Sequence, residues 1–220
     1  MQVVVYSVVA YRLFPFSIFL FYLRILKFNK VCLLIAAIVI SSFLGDFIGL
    51  SLANSRLPTA PVSNIYQIIE RTICTFILTS VYPISQKSKL FLRGISLFIS
   101  ILQFVYCFKS HFQLQNDYIK LLSGLFICFL ALHTLFFLIY KSPYNSPKIN
   151  INAWPIIAIF FYTTSMLVPQ MITNIDDSIE FPECFHKIRL GVTLGSNFIR
   201  DSLFAFFFFQ AKQMDYDTGK

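Results

Sequence analysis

The stretch VCLLIAAIVISSFLGDFIGLSLA, residues 31–53, decides the fold class, because it is a long apolar run with one charged residue, Asp46. A helix needs about 20 mostly apolar residues to cross the hydrocarbon core of a bilayer. A run of this length and composition is therefore a candidate transmembrane helix. It predicts a chain whose helices have lipid as their solvent.

The composition of the whole chain agrees with this prediction. Its 220 residues are 57% hydrophobic and 13% charged, whereas soluble domains are about 25% charged. The net charge is +8, yet the basic residues are spread over short segments instead of being grouped with aromatic residues, which argues against a nucleic-acid partner. We expect residues 1–220 to form a single transmembrane domain without a separate soluble domain.

Seven apolar runs predict an all-α, polytopic membrane protein built as a seven-transmembrane-helix bundle. The first run is not expected to be a cleaved signal peptide, since Arg12 interrupts it. Proline-rich and polar segments, such as residues 54–61, separate the runs. The predicted spans are roughly 2–23, 31–53, 64–83, 90–108, 118–140, 153–173 and 189–210.

The lysine and arginine residues between the runs or near the ends of the runs predict the orientation. Ten of them fall on one side of the membrane and five on the other. Cytoplasmic loops carry the excess of Lys and Arg. The N-terminus is therefore expected outside and the C-terminus in the cytoplasm.

Six charged residues within the predicted spans, three basic and three acidic, are not counted with either side of the membrane. An unpaired charge at the bilayer centre costs about 2.5–3.5 kcal/mol, so these residues are expected to pair with each other. At about 1.5 Å per helical residue, most of them fall in the outer half of the bundle, together with two amides. The predicted ion-pair network or ligand-binding site consists of Arg12, Asp46, Glu70, Arg71, Gln170, Asn197, Arg200 and Asp201. Both a purely structural role and a functional role remain open.

The segment NIYQIIERTICTF, residues 64–76, places Glu70 and Arg71 side by side. Neighbours in a helix point about 100° apart, so these two side chains do not face each other. We expect each to tie the third helix to a different neighbour. Arg71 is predicted to pair with Asp46, and Glu70 with Arg200 or Arg12.

The chain has no signature of a metal, cofactor or nucleophile site. No GxSxG, HExxH or glycine-rich phosphate loop is present, and the three histidines are scattered. We therefore expect no catalytic residues, no metal and no cofactor, which counts against an enzyme. In the last predicted helix, Gly191 and Gly195 form a small-xxx-small pair that suits either packing within the bundle or a homodimer seam.

Several short patterns resemble a group of uncharacterised small bacterial seven-helix membrane proteins. The resemblance covers helices 2 to 7 and is carried by Asp46, Asn64, Tyr66, Glu70, Trp154 and Asn197. Members also place a histidine near the start of the last helix, whereas here His186 comes earlier. The resemblance implies a bacterial inner (cytoplasmic) membrane location and an architecture similar to the membrane sensing modules of bacterial signalling proteins.

These observations predict an integral membrane receptor-like or accessory signalling module that binds a small ligand in an outward-facing polar pocket. Its partners would be membrane lipids and a signalling protein. A small proton-coupled transporter that uses the intramembrane carboxylates is the first alternative. A lipid-modifying membrane enzyme, with Asp46, Glu70 and Asp201 as acid–base groups, is the second.

Overall fold

Helices account for almost every residue that the structure describes. The computed structural model of the chain covers residues 10–11, 13–15, 17–21, 30–111, 117–141, 147–173 and 183–218, and these ranges contain seven helices and no strand. The all-α prediction is therefore confirmed for this part of the chain. The helices are α1 within residues 10–21, α2 (Lys30–Asn54), α3 (Ala60–Val81), α4 (Gln86–Lys109), α5 (Asp117–Lys141), α6 (Pro147–Thr173) and α7 (Glu183–Thr218).

Proline and serine residues mark both ends of α3 and the start of α4. Pro61 stands in the first turn of α3, where a proline fits because its missing N–H is not needed. At the other end of α3, Tyr82 has φ −68° and ψ 121°. This extended conformation is the one favoured before a proline, here Pro83. Next, the hydroxyl of Ser85 accepts a hydrogen bond from the backbone N–H of Ser88 at 3.2 Å and caps α4.

Several helices extend beyond the predicted apolar runs, because a helix continues into its polar flanks. The helix α4 begins at Gln86, ahead of the predicted run at 90–108, so Arg93 lies about two turns inside the helix. Its Nε donates a hydrogen bond to Oγ1 of Thr79 on α3 at 2.9 Å. Arg93 thereby connects the first part of α4 to α3.

Three of the described helices are long and apolar enough to cross a membrane. They are α2, α4 and residues Tyr118–Tyr140 of α5, and a shorter apolar segment spans Ile151–Leu167 of α6. The chain thus has the composition of a membrane-associated protein. The seven-span topology and the orientation of the termini stay predictions.

The helix α3 occupies the centre of the bundle. It contacts α2, α4, α5 and α6, while α7 packs against α6 and α2. The first helix lies along α7, where Tyr11 Oη and Ser202 Oγ are 2.7 Å apart. The rings of Phe19 and Phe208 also meet there, with centroids 5.3 Å apart. Residues from distant parts of the chain thereby surround α3.

Apolar side chains cover the outside of the bundle. Phe21, Leu90 and Phe129 are 79%, 71% and 69% exposed, respectively. Polar residues are buried instead, among them Glu70 and Arg200. An apolar surface around a partly polar interior is the arrangement expected when lipid, not water, surrounds the helices.

Two glycines permit close helix contacts. A Cβ at Gly45 would lie 3.3 Å from the ring of Tyr66, and one at Gly124 would lie 2.8 Å from Cδ2 of Leu167. The predicted small-xxx-small pair is different, because Gly191 and Gly195 are exposed. A Cβ at either position would meet no described atom within 4 Å. These two glycines therefore make no close packing contact within the described part of the bundle.

Candidate functional site

A cavity of about 400 Å³ lies between α2, α3, α5, α6 and α7. It follows α3 from its N-cap, Thr59, to Cys74, which corresponds to about 22 Å at the helical rise. Thr59 and Ser63 are exposed, whereas Glu70 is 4% exposed. The cavity thus extends from the turn between α2 and α3 into the interior, and its volume suits a small molecule.

Half of the predicted site residues line this cavity: Asp46, Glu70, Arg71 and Asn197. Arg200 and Asp201 lie deeper along α7, and each is 1% exposed. Arg12 lies outside the described residues, and so does the side chain of Gln170 on α6. The structure therefore brings six of the eight predicted residues to one region of the bundle.

One residue that lines the cavity, Glu70, forms a buried ion pair that connects α3 to α7. Nη1 of Arg200 donates to Oε1 of Glu70, and both side chains are almost fully buried. The same guanidinium contacts Oδ1 of Asp201, with Nε and Nη2 both at 3.0 Å. Arg200 is one of the two partners that the sequence suggested for Glu70, and here it holds two carboxylates at once.

Three uncharged side chains complete the surroundings of Arg200. Its guanidinium carbon lies 4.5 Å from the ring centroid of Tyr162 on α6, and the hydroxyl of Tyr162 donates to Oε2 of Glu70 at 3.4 Å. From α2, Oγ of Ser42 accepts from Nη2 at 3.4 Å and lies 2.6 Å from Oη of Tyr66. The ion pair is therefore joined to α2, α3, α6 and α7.

Arg71 binds a different helix. Its Nη1 donates to the carbonyl oxygen of Lys120 at 2.9 Å and to the hydroxyl of Ser123. The sequence suggested a pairing with Asp46, but these hydrogen bonds run to α5. The neighbouring charges Glu70 and Arg71 thus connect α3 to different helices, as their angular separation requires.

Two residues that line the cavity have buried acceptor atoms whose bonding capacity is not used within the described part of the chain. Asn197 is 5% exposed; its Nδ2 donates to the carbonyl oxygen of Thr193 at 3.0 Å. Its Oδ1 is buried and has no hydrogen-bond partner among the described residues, and the same holds for Oε1 of Gln67. Both residues line the cavity. Because buried polar atoms are almost always hydrogen-bonded, these oxygens call for an explanation.

Sequence reasoning did not identify Tyr162, Ser42 or Gln67. Tyr162 and Ser42 stand in apolar runs, where an aromatic ring or a small hydroxyl looks like ordinary packing. A signal for Gln67 was present, because Ser63, Gln67 and Glu70 recur at helical spacing on the cavity side of α3.

A separate row of hydroxyl groups joins α3 to α4. Oγ1 of Thr72 lies 2.9 Å from Oγ of Ser100, and Ser96 donates to Oγ1 of Thr75 at 3.0 Å. Neither residue of α4 lines the cavity, and neither do the two threonines. This row fixes the register of the two helices and is not part of the candidate site.

Comparisons with known proteins do not identify the chain. No protein-family model matches it, and no curated protein or solved structure matches it either. Within the described residues, no group of three or more His, Cys, Asp or Glu side chains is arranged to hold a metal ion. What the chain does must therefore be inferred from its own residues and contacts.

Proposed function

We propose that the chain is a receptor-like or accessory signalling module of a membrane that binds a small ligand in the cavity described above. One observation carries this proposal. The buried oxygen Oδ1 of Asn197 has no hydrogen-bond partner among the described residues, and Asn197 lines the same cavity as Glu70, which pairs with Arg200. A ligand that donates a hydrogen bond to this oxygen would remove the energetic penalty of leaving it unpaired.

The lining of the cavity favours a ligand with N–H or O–H donors and an apolar body. Oδ1 of Asn197 and Oε1 of Gln67 are the acceptors for the donors. Ile127, Leu167 and Leu194 provide apolar walls. Primary amines and alcohols with a short hydrocarbon chain combine the two properties.

The helix α7 offers a route from ligand to partner. Asn197 and Arg200 are three residues apart, so a ligand at Asn197 contacts the turn that holds the ion pair. With the N-terminus outside, the cavity faces outward and the far end of α7 lies in the cytoplasm. A change in the ion pair would then reach a signalling protein on the cytoplasmic side of a bacterial inner membrane.

Thermal unfolding of the purified chain in detergent tests this proposal. The probes are amines, alcohols and carboxylic acids that share one hydrocarbon chain. We expect an amine or an alcohol to raise the midpoint of unfolding, and Asn197→Ala to abolish the increase. Gln103→Ala is the matched control, because Gln103 is a buried amide on α4 that also has an unpartnered atom but does not line the cavity. Equal shifts in both variants, or no shift with any probe, would refute the proposal.

A small proton-coupled transporter is the second candidate. Glu70 and Asp201 share Arg200, Asp201 Oδ2 has no partner among the described residues, and Asp46 lines the cavity. Such a series of carboxylates suits proton transfer. If the chain transports a substrate together with protons, vesicles that contain it would acidify in the presence of a substrate gradient. If the chain only binds a ligand, the pH inside the vesicles would not change.

The exposed glycines of α7 leave a homodimer as a further proposal. Gly191 and Gly195 would let the same helix of a second copy approach closely. Cross-linking in liposomes tests this, because Gly195→Leu should reduce a cross-linked dimer and Gly94→Leu, on α4, should not.

A further inference from the structure

A second cavity, of about 690 Å³, lies on the bundle surface between α4 and α5, at the opposite end of α3 from the first. Tyr82 borders it, and this residue follows Glu70 by twelve positions, about 18 Å along the helix. Neither of the functions proposed above uses this surface.

The walls of this groove are apolar and exposed. Phe91 and Phe129 are each 69% exposed, and Phe126, Leu92 and Leu130 continue the apolar surface. On α5 the lining residues run from Phe126 to His133, about 10 Å at the helical rise. The groove therefore offers an apolar surface that runs along a helix, on which a hydrocarbon chain could lie.

One end of the groove is polar and basic. Lys87 and Ser88, at the start of α4, are exposed and border it. Beside them Oη of Tyr82 lies 2.6 Å from Nδ1 of His133, and the two rings meet edge to face. These polar groups sit where α4 begins, at the level at which lipid headgroups would lie if α4 spans the membrane.

The charge around the groove has a single sign. The sequence contains no Asp or Glu at residues 71–116 or 118–175, which include every residue of its walls. Lys87, Lys89 and Arg93 all belong to the first two turns of α4. A negatively charged group at this end would therefore meet cations without facing an acid.

We infer that this groove binds one anionic phospholipid, with an acyl chain along the apolar wall and the phosphate at Lys87 and Ser88. Any apolar helix face contacts acyl chains in a bilayer. This groove differs from such a face because a cation stands at its mouth and the Tyr82–His133 pair shapes its wall. Basic pockets between helices are a common way to select anionic headgroups.

The test compares lipids on the full-length chain purified in a neutral detergent. Native mass spectrometry measures the binding of dioleoyl phosphatidylglycerol, dioleoyl phosphatidylcholine and glycerol phosphate, which is the headgroup alone. We expect phosphatidylglycerol to bind at least about fivefold more tightly than phosphatidylcholine, because one lysine near a membrane surface contributes about a factor of five. Glycerol phosphate should bind weakly, because it lacks the apolar part.

Two pairs of variants separate the headgroup from the acyl chain. Lys87→Gln should remove the preference for phosphatidylglycerol, whereas Lys109→Gln, at the other end of α4, should keep it. Phe129→Ala should weaken the binding of both lipids. Phe136→Ala should leave the binding unchanged, because Phe136 is similarly exposed on α5 but lies outside the groove. All four side chains point outward, so the fold should tolerate their substitution.

Three results would overturn the inference. Equal binding of the two lipids by the unaltered chain would show that the groove does not recognise the headgroup. Equal effects of Lys87→Gln and Lys109→Gln would show that only the overall charge matters. If glycerol phosphate bound as tightly as phosphatidylglycerol, the site would be an anion site and not a lipid site.

Discussion

The carboxylate of Glu70 on α3 and the guanidinium of Arg200 on α7 form a buried ion pair across 130 positions of the chain. This contact connects the central helix to the last one beneath the cavity. Both groups are at most 4% exposed, so neither can turn to water when its partner is removed. The pair should therefore contribute to stability mainly through the cost of breaking it.

The first prediction concerns the coupling between these two residues. Glu70→Gln should lower the free energy of unfolding by about 3–5 kcal/mol, since it leaves a buried guanidinium with one carboxylate fewer. The double variant with Arg200→Gln should lose less than the sum of the two single variants, by about 1–3 kcal/mol. Unfolding of the purified variants in mixed detergent micelles measures both quantities.

Gln67→Ala is the control for this cycle. Gln67 lies about one turn from Glu70 on the same side of α3, and its substitution should change the free energy of unfolding by less than about 1 kcal/mol. If Glu70→Gln and Arg200→Gln were additive, the two side chains would not interact in the folded chain. The contact between α3 and α7 would then be incidental.

The sequence predicts the helices well, because long apolar runs separated by proline and polar segments admit few other structures in lipid. It also proposes Arg200 or Arg12 as the partner of Glu70, since intramembrane charges have few ways to be stabilised other than by pairing. Both inferences depend on the free-energy cost of leaving backbone groups or charges unpaired in lipid, and this cost applies to any arrangement of the chain.

Other parts of the site could not be derived in this way. A tyrosine such as Tyr162 can face lipid, pack in the core or make a polar contact. The rotation of α6 about its axis determines which of these surroundings the side chain has. The hydrogen bond from Arg93 on α4 to Thr79 on α3 could not be derived either, because it depends on how the two helices pack. The partners of Arg71 on α5 depend on a backbone carbonyl, which has no sequence signature.

The second prediction separates the two contacts of Tyr162. Tyr162→Phe keeps the ring over Arg200 and removes the long hydrogen bond to Glu70, so it should cost no more than about 1 kcal/mol. Tyr162→Leu also removes the cation–π contact and should cost about 2 kcal/mol more. Thermal unfolding of both variants checks the order. Equal losses would mean that the hydroxyl, not the ring, stabilises the ion pair.

The third prediction concerns the close contact between α5 and α6. Gly124→Ala should destabilise the bundle, because the added Cβ would lie 2.8 Å from Cδ2 of Leu167. Leu167→Ala in the same chain should recover part of the loss. Gly191→Ala is the control, because the added Cβ would meet no described atom within 4 Å. This substitution should be neutral or should stabilise the chain by up to about 1 kcal/mol. Unfolding midpoints measure all three, and a neutral Gly124→Ala would show that the side chain of Leu167 moves aside at little cost.

The last prediction concerns the end of α2. Arg56 has φ 57°, a left-handed conformation that glycine adopts without steric cost. The N–H groups of Leu57 and Arg56 bond to the carbonyl oxygens of Leu52 at 2.9 Å and Ala53 at 3.0 Å, the pattern of a Schellman cap. Arg56→Gly should therefore stabilise the chain by about 1 kcal/mol. Arg56→Ala removes the same charge but keeps a Cβ, so it should give no such gain. If both variants shifted the unfolding midpoint equally, the effect would come from the lost charge and not from the backbone.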